Sequence, residues 1–505
     1  MCIRDSVWDE PFGLYGLVAQ SIEIADDRSW IIFNLNPKAR FHDGHPMTAE
    51  DVKFSYESFL THGHPVRRRV YGFVNKVDIL NDHKIKFTFG DGYDAETALI
   101  LAIMPVLPKH YWENKDISKT TLEPPLGSGP YQIKAFEPGR KITYERVDDY
   151  WGKDLPVNKG LYNFDEIRYL YYRDADIALE AFKSGETNLK REYDIATWNT
   201  SYKSPRIESG EIVKKAYAHH RPERVRAFIF NTRRAPLDDI RVRKALGIAF
   251  DSDRINNLFY DGKFKRIHSY FPNSELAHSG MPTGRELEIL SQYKDQLPDS
   301  VFSATVKDDA DNKRAQLRES LRLLKEAGYE IQDQNLVNVK TGEPLELELL
   351  LTSSTEEKIA LFYKEALQRL GVRLNIRTVD AAQFTGRLDQ FDYDMVSYQW
   401  VNSLSPGNEQ MNYWGSAAAT NNGSRNYAGA NSPVIDALAM GIGASETRDE
   451  LKAYTHALDR VLTNGYYSIP LFYLGADFIA HDQYLKSVDT TPMYGTVLES
   501  WWWQE

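Results

Sequence analysis

The chain has 505 residues, and 61 basic against 72 acidic side chains leave a formal charge of −11. At roughly 150 residues per domain this length predicts about three domains, and 42% apolar with 12% aromatic residues suffices for large cores, which excludes disorder as the main state. An acidic pI near 5.7 argues against a nucleic-acid surface, since Val66-Arg67-Arg68-Arg69 is too short to make the basic face that phosphate binding needs. No run of 18 apolar residues occurs, so no transmembrane helix is expected. One cysteine, Cys2, cannot form an internal disulfide, and so sparse a use of cysteine suits an exported protein but also occurs by chance in cytosolic enzymes, so composition leaves the compartment open. Met1-Cys-Ile-Arg-Asp-Ser6 lacks a signal-peptide pattern, so either the protein is cytosolic or the chain is incomplete; Gly13 to Ile22 reads as mid-domain sequence, which favours truncation, with Cys2 belonging to a non-native head.

In chain order, Ile31 to Leu35 and Lys84 to Phe89 alternate as half-buried strands. Between them Thr48-Ala-Glu-Asp51 opens a helix to about Leu60, the Thr48 hydroxyl accepting from the Asp51 amide and Val52, Tyr56, Phe59 and Leu60 sharing one face. After Gly127-Ser-Gly-Pro130, Tyr131 to Phe136 and Lys141 to Arg146 predict a hairpin. A strand over Ile167, Tyr169 and Tyr171 leads to a helix burying Ile177, Ala178, Ala181 and Phe182 and stopped by Gly185. A third helix follows Pro236-Leu-Asp-Asp239.

The second half reads as βαβαβ. Strands over Leu345 to Leu351, Val372 to Ile376 and Met395 to Trp400 alternate with helices carrying Ile359 to Leu370 and Phe384 to Leu388. Such units place ligands beyond the carboxyl ends of their strands, where Trp400 to Asn408 begins. A helix over Leu451 to Val461 then leads to a strand from Tyr466 to Leu474, whose Pro470 demands an edge or crossover position. The polar run Ala417 to Gly429 reads as a loop anchored by Trp414 and Tyr427.

Catalytic signatures are missing: there is no G-x-S-x-G elbow, Walker loop, H-E-x-x-H or cysteine cluster. The pairs His42/His45, His62/His64 and His219/His220 offer ligand types that zinc accepts, but read as turn and surface histidines, so neither metal nor cofactor is expected. Asp148-Asp149 and Asp238-Asp239 read as turn or cap acids. Loop aromatics Trp198, Trp400, Tyr413, Trp414 and Tyr427 suit a cleft that grips varied ligands by stacking. A hydrolase using the His42/His45 region and a peptide-holding adhesin or chaperone are the competing readings.

Phe41-His-Asp-Gly-His-Pro-Met-Thr-Ala-Glu-Asp-Val-Lys-Phe-Ser55 resembles the F-x-D-G-x-x-x-T-A-x-D-V-x-F-S signature of family 5 extracellular solute-binding proteins, the peptide- and nickel-binding receptors of ABC importers. Gly127 to Tyr131 with Asp149-Tyr-Trp-Gly152, and Phe230 to Leu246, are similar to two further segments of that family. Leu404 to Gln410, Tyr413 to Ala418 and Gly423 to Asn426 resemble the branch serving microcin C and oligopeptide importers. Many of the family's peptide receptors carry W-x-x-D, the aspartate pairing the ligand ammonium; here Ser403 stands three places after Trp400, which favours N-blocked, long or peptidoglycan-derived peptides.

The resemblance implies an α/β, two-lobed periplasmic-binding-protein fold of type II, in the large three-subdomain cluster, truncated by on the order of 80 to 100 residues. Lobe I would comprise 1–40, an inserted subdomain 41–125, then 126–233 and a completion at 469–505; lobe II would be 234–468. It implies a non-enzymatic, monomeric periplasmic receptor, with a signal peptide in the missing segment, that closes by hinge motion on oligopeptide-like solutes and delivers them to permease subunits in the inner membrane. Trp198, Tyr413 and Tyr427 would line the cleft with Trp400 and Trp414 as its floor. Asn402, Ser403 and Asn426 would bond peptide groups, and Arg425 would meet a ligand carboxylate.

Overall fold

The computed structural model describes residues 14–63, 70–93, 97–119, 121–304, 313–352 and 354–505, with 3–5 and 68. Cys2, His64, Val66, Arg67 and Arg69 lie outside the described residues. The chain divides into two units, one comprising Met1–His219 and Ala476–Glu505, the other His220–Gly475. Among the described residues no helix is long and apolar enough to cross a membrane.

The continuous unit is built on a mixed five-stranded sheet. Glu346–Leu351 lies between Arg373–Thr378 and Met395–Trp400, parallel to both; Val225–Phe230 and Ser468–Pro470 extend it antiparallel. Helices Ser354–Gln368 and Ala381–Asp389 supply the two crossovers, as the βαβαβ reading required. Val225–Phe230, inside the sheet, is nearly continuous in apolar residues because both of its faces are covered, whereas the edge strand Arg373–Thr378 alternates. Val225, Ala227 and Ile229 join Leu350, Val396 and Trp400 in a core closed by helices Pro433–Ala444 and Arg448–Asn464. Phe228 and Phe230 join Leu347, Leu349, Leu351 and Met395 on the other face, under helices Ile240–Ile248 and Ser354–Gln368. Pro470 ends the edge strand against Ala227, and the chain resumes at Phe472–Tyr473 in a separate pairing with Lys265–Arg266. The expected single strand to Leu474 is thus two strands in two sheets.

The other unit holds an antiparallel sheet in the order Ala19–Ile24, Trp30–Leu35, Lys84–Phe89, Val74–Asn81, sharing one core with helices Ala49–His62 and Thr97–Ala102. A three-stranded meander follows over Tyr131–Glu137, Lys141–Arg146 and Glu166–Leu170. A second three-stranded sheet places Ala476–Asp482 between Leu189–Glu192 and Ile212–Ala218.

Several boundaries differ from expectation. The units divide at 219/220 and 475/476 instead of 233/234 and 468/469, because Val225–Phe230 pairs with Met395–Trp400 and Ser468–Pro470. A break at 40/41 would cut one core, since Ile31 and Phe33 pack with Val52, Phe87 and Leu101. Ile177 is 60% exposed; Leu179, Ala181 and Phe182 make the buried stripe of helix Ala175–Ser184. The expected Thr48–Asp51 capping box is present, and the Thr48 hydroxyl also lies 3.0 Å from Asp51 Oδ2. The same carboxylate accepts the Thr48 and Lys109 amides, so a buried acid ties the helix start to a distant segment.

Candidate functional site

The carboxyl end of Met395–Trp400 carries a nest of rings. Trp400 is the last residue of a strand whose even positions face the core, so its indole turns inward, 2% exposed, and donates to the Arg425 carbonyl (3.2 Å). It packs on Trp414 at 4.6 Å between centroids, and Tyr270 meets Trp414 edge-on at 4.9 Å. Tyr427 meets Tyr398 edge-on at 4.4 Å. Such pairs add about 0.5–1.5 kcal/mol each beyond area burial, which makes this end of the sheet rigid.

Polar groups decorate that platform. Asn402 donates to the Tyr270 carbonyl (2.5 Å), Tyr413 donates its hydroxyl to the Val401 carbonyl (3.2 Å), and Ser403 accepts the Ser405 amide (3.0 Å). Arg425 is exposed and reaches the Tyr413 hydroxyl at 3.5 Å. Partial burial works against its charge, but the Tyr413 hydroxyl and neighbouring phenols outweigh it and hold the guanidinium above its ordinary value. Among the described residues no carboxylate lies in ion-pair range of Arg425. A cation so placed can bond an incoming carboxylate.

The expected set is only partly assembled. Trp400, Asn402, Ser403, Tyr413, Trp414, Arg425, Asn426 and Tyr427 all belong to the continuous unit, whereas Trp198 belongs to the other, buried beside Tyr202 and Phe478 with Lys214 over its ring. Trp400, Trp414, Tyr413 and Tyr427 are core residues of their unit, a floor beneath a surface instead of open stacking faces. Asn426 is fully buried: its carboxamide bonds the carbonyls of Gly415 and Ala430 and the Ala430 amide, which closes its own loop and leaves it no ligand role. Ser403 and Arg425 are exposed and Asn402 half-buried.

Sequence reasoning missed what holds this face. Asp459, wholly buried in helix Arg448–Asn464, accepts the Ser269 hydroxyl (2.7 Å), the Tyr270 amide (2.6 Å), the His278 amide (3.0 Å) and the His278 ring (2.8 Å). Its neighbour Arg460 pairs with buried Glu286 at 2.8 Å and with carbonyls of Ser279, Gly280 and Ser303. The partners lie some 180 positions away in sequence; the only signal was an Asp-Arg pair on the apolar side of an amphipathic helix.

A cavity of about 840 Å³ lies at the opposite end of the same sheet, lined by Arg233, Arg234, Arg243, Phe391, Asn422 and Tyr467 among others. Its arginines are already engaged. Arg233 donates to the Ala419 and Asn426 carbonyls, Arg243 to those of Leu237 and Gly465, and Arg234 pairs with Asp392 and Asp394. This end is a structural joint. The histidine pairs are also dispersed: His42 meets the Gly129 carbonyl while His45 meets Asp43, and His219 is buried while His220 is exposed.

Residues 13–422 match the profile described as bacterial extracellular solute-binding proteins, family 5 Middle. The chain is 41% identical over 514 residues to the probable peptide-binding protein YejA of Agrobacterium fabrum, covering 99% of this chain and 84% of that protein. It is 37% identical over 507 residues to the peptidoglycan-binding protein YepA of the same organism, covering 98% and 82%. The oligopeptide-binding protein AppA of Bacillus subtilis, solved with a nonapeptide, shares the fold with a TM-score of 0.69 at 20% identity, over 97% of this chain and 90% of that one.

Proposed function

The chain belongs to the family 5 bacterial extracellular solute-binding proteins, and on that premise we propose that it captures oligopeptide-like solutes in the periplasm and delivers them, as a monomer, to the permease of an ABC importer in the inner membrane. It is a binding protein and not an enzyme, which sets aside the hydrolase reading of His42 and His45. The observation that carries the peptide reading is Arg425, an exposed guanidinium without a carboxylate partner among the described residues, set beside Tyr413 over the Trp400/Trp414 floor. The ligand class would be peptides, peptide antibiotics or peptidoglycan-derived peptides. The names borne by the YejA and YepA relatives favour the same class.

In this reading Arg425 takes a ligand carboxylate, and Asn402 and Ser403 meet peptide groups. Ser403, at the place where related receptors use an aspartate, supplies no charge for a free ammonium, so N-blocked and long peptides are preferred. Because Asn402 already spends one donor on the Tyr270 carbonyl and accepts from the Gln410 carboxamide, its remaining capacity toward ligand is one donor and one carbonyl lone pair. Titration of tryptophan fluorescence and melting temperature with tri- to octapeptides, their N-acetylated forms and peptidoglycan peptides tests the assignment. A saturating ligand at 100 times its Kd adds about 2.7 kcal/mol of stability. If none of these solutes moves either signal, the peptide assignment fails.

A further inference from the structure

Two histidines and an aspartate converge within the discontinuous unit, whereas Asn402, Ser403 and Arg425 belong to the continuous one. Asp43 and His45 sit in a tight turn closed by the Gly44 amide on the Phe41 carbonyl and the Phe41 amide on the His45 carbonyl, with Gly44 at φ 87°. A left-handed residue is required there, and glycine adopts it without strain. His110 comes from the short helix Lys109–Trp112. That helix is fixed by the Lys109 amide on buried Asp51 and by the Lys109–Glu50 ion pair at 3.0 Å. The turn is fixed in its own right by the His42 amide on the Gly127 carbonyl and the His42 ring on the Gly129 carbonyl. The three side chains therefore meet because two anchored segments meet.

One oxygen, Asp43 Oδ2, faces His45 Nδ1 at 2.9 Å and His110 Nε2 at 2.7 Å, and the two imidazoles stack at 4.1 Å with 26° between their planes. All three ligand atoms lie within 4.8 Å of one another. The group sets one carboxylate oxygen between two ring nitrogens, three atoms of the types that a divalent metal takes as ligands. We propose that Asp43, His45 and His110 bind a first-row divalent cation, with Zn²⁺ as the reference ion and water completing its shell.

The geometry suits this. Zinc takes nitrogen and carboxylate oxygen at about 2.0–2.2 Å, so tetrahedral ligands stand about 3.3 Å apart. Opening the present 2.9 and 2.7 Å separations by about half an ångström is within reach of His45 and His110, whose side chains are 61% and 36% exposed. Two imidazoles and one carboxylate form a borderline donor set that suits zinc, nickel or copper above magnesium or calcium. His42 is no part of it, because its ring is turned to Gly129. The bound ion would staple the 41–45 turn to the 109–112 helix.

The test uses the full chain carrying Cys2→Ser, so that the thiol cannot contribute, stripped with chelator and titrated with Zn²⁺ by calorimetry and equilibrium dialysis. The expected result is one ion per chain and a melting temperature raised by Zn²⁺. Loss of partners outside the ligand shell already costs metal sites about 10–100-fold. His45→Ala and His110→Ala should each weaken binding by at least about tenfold and abolish the thermal shift. Co²⁺ in place of Zn²⁺ should give visible d–d absorption that both variants lose. His45→Ala, at an exposed position, should melt as the parent does without metal, separating loss of the site from loss of fold. Equal affinity in the parent and the doubly substituted chain, or no binding by the parent, overturns the assignment.

Discussion

Asp459→Ala is the sharpest test of how the solute-binding face is held. The carboxylate is wholly buried and accepts four hydrogen bonds, two of them from the backbone amides of Tyr270 and His278. Those amides cannot turn toward water when their acceptor goes, whereas the Ser269 hydroxyl can rotate. Stranded buried donors cost about 1–3 kcal/mol each, and deleting one partner of a buried charged network costs about 3–5 kcal/mol. We expect a loss of about 3–5 kcal/mol in urea unfolding at unchanged m. The melting temperature should fall by roughly 6–20 °C, taking about 2–4 °C per kcal/mol for a domain this large. Asp459→Asn, which keeps an acceptor oxygen, should lose less. Under conditions where Asp459→Asn is fully folded, peptide affinity should still fall, because the Tyr270 carbonyl that positions Asn402 is no longer fixed. A loss below about 1 kcal/mol for Asp459→Ala would refute the reasoning.

Three further outcomes are expected. Arg425→Gln should weaken peptides with a free carboxyl terminus about tenfold, the low end for a charge-assisted bond at an exposed site, and leave their amidated counterparts unchanged; equal losses for both would remove the carboxylate role. Burial lowers the His481 pKa below 6.5, so the unfolded chain binds the proton more readily. Its contribution to stability is present above pH 6.5 and lost as pH falls below that value; melting temperatures of His481→Gln across pH 5–7.5 should show a shallower acid decline than the parent. Gly441→Ala should destabilise although alanine is the better helix former by about 1 kcal/mol, since a methyl there would overlap the Tyr454 ring; a raised melting temperature would contradict that packing.

What could be read from the chain was what repeats locally. The 346–400 βαβαβ unit was legible because alternating leucines, the helical stripe after Ile359 and the Gly371 stop are signals of period two and 3.6 in adjacent segments. Trp400 was correctly placed at a strand end, but a tryptophan carries no mark of whether its face is open or covered, and here it is covered. Asn426 misled for a physical reason: an asparagine in a polar loop can bond its own backbone as readily as a ligand, and only the folded loop decides between them. Asp459, Ser269, Tyr270 and His278 share no local pattern. The division at 219/220 was missed because Val225–Phe230 looks alike whichever sheet receives it.

The strand Ala476–Asp482 is the middle of three in its sheet, and its partners Leu189–Glu192 and Ile212–Ala218 are made about 290 and 260 residues earlier. Those two partners do not pair with each other, so during synthesis neither has a ladder partner until Ala476–Asp482 is made. The continuous unit, His220–Gly475, is finished first and holds its own cores. Its folding draws the two ends of a very long loop together before the last strand arrives, and most of the loop-closure entropy is then already spent. Birth order and assembly order are therefore inverted: the unit holding the earlier-made strands Leu189–Glu192 and Ile212–Ala218 is the one completed later, and those two unpaired strands stay available to chaperones, proteases or a second chain in the interval.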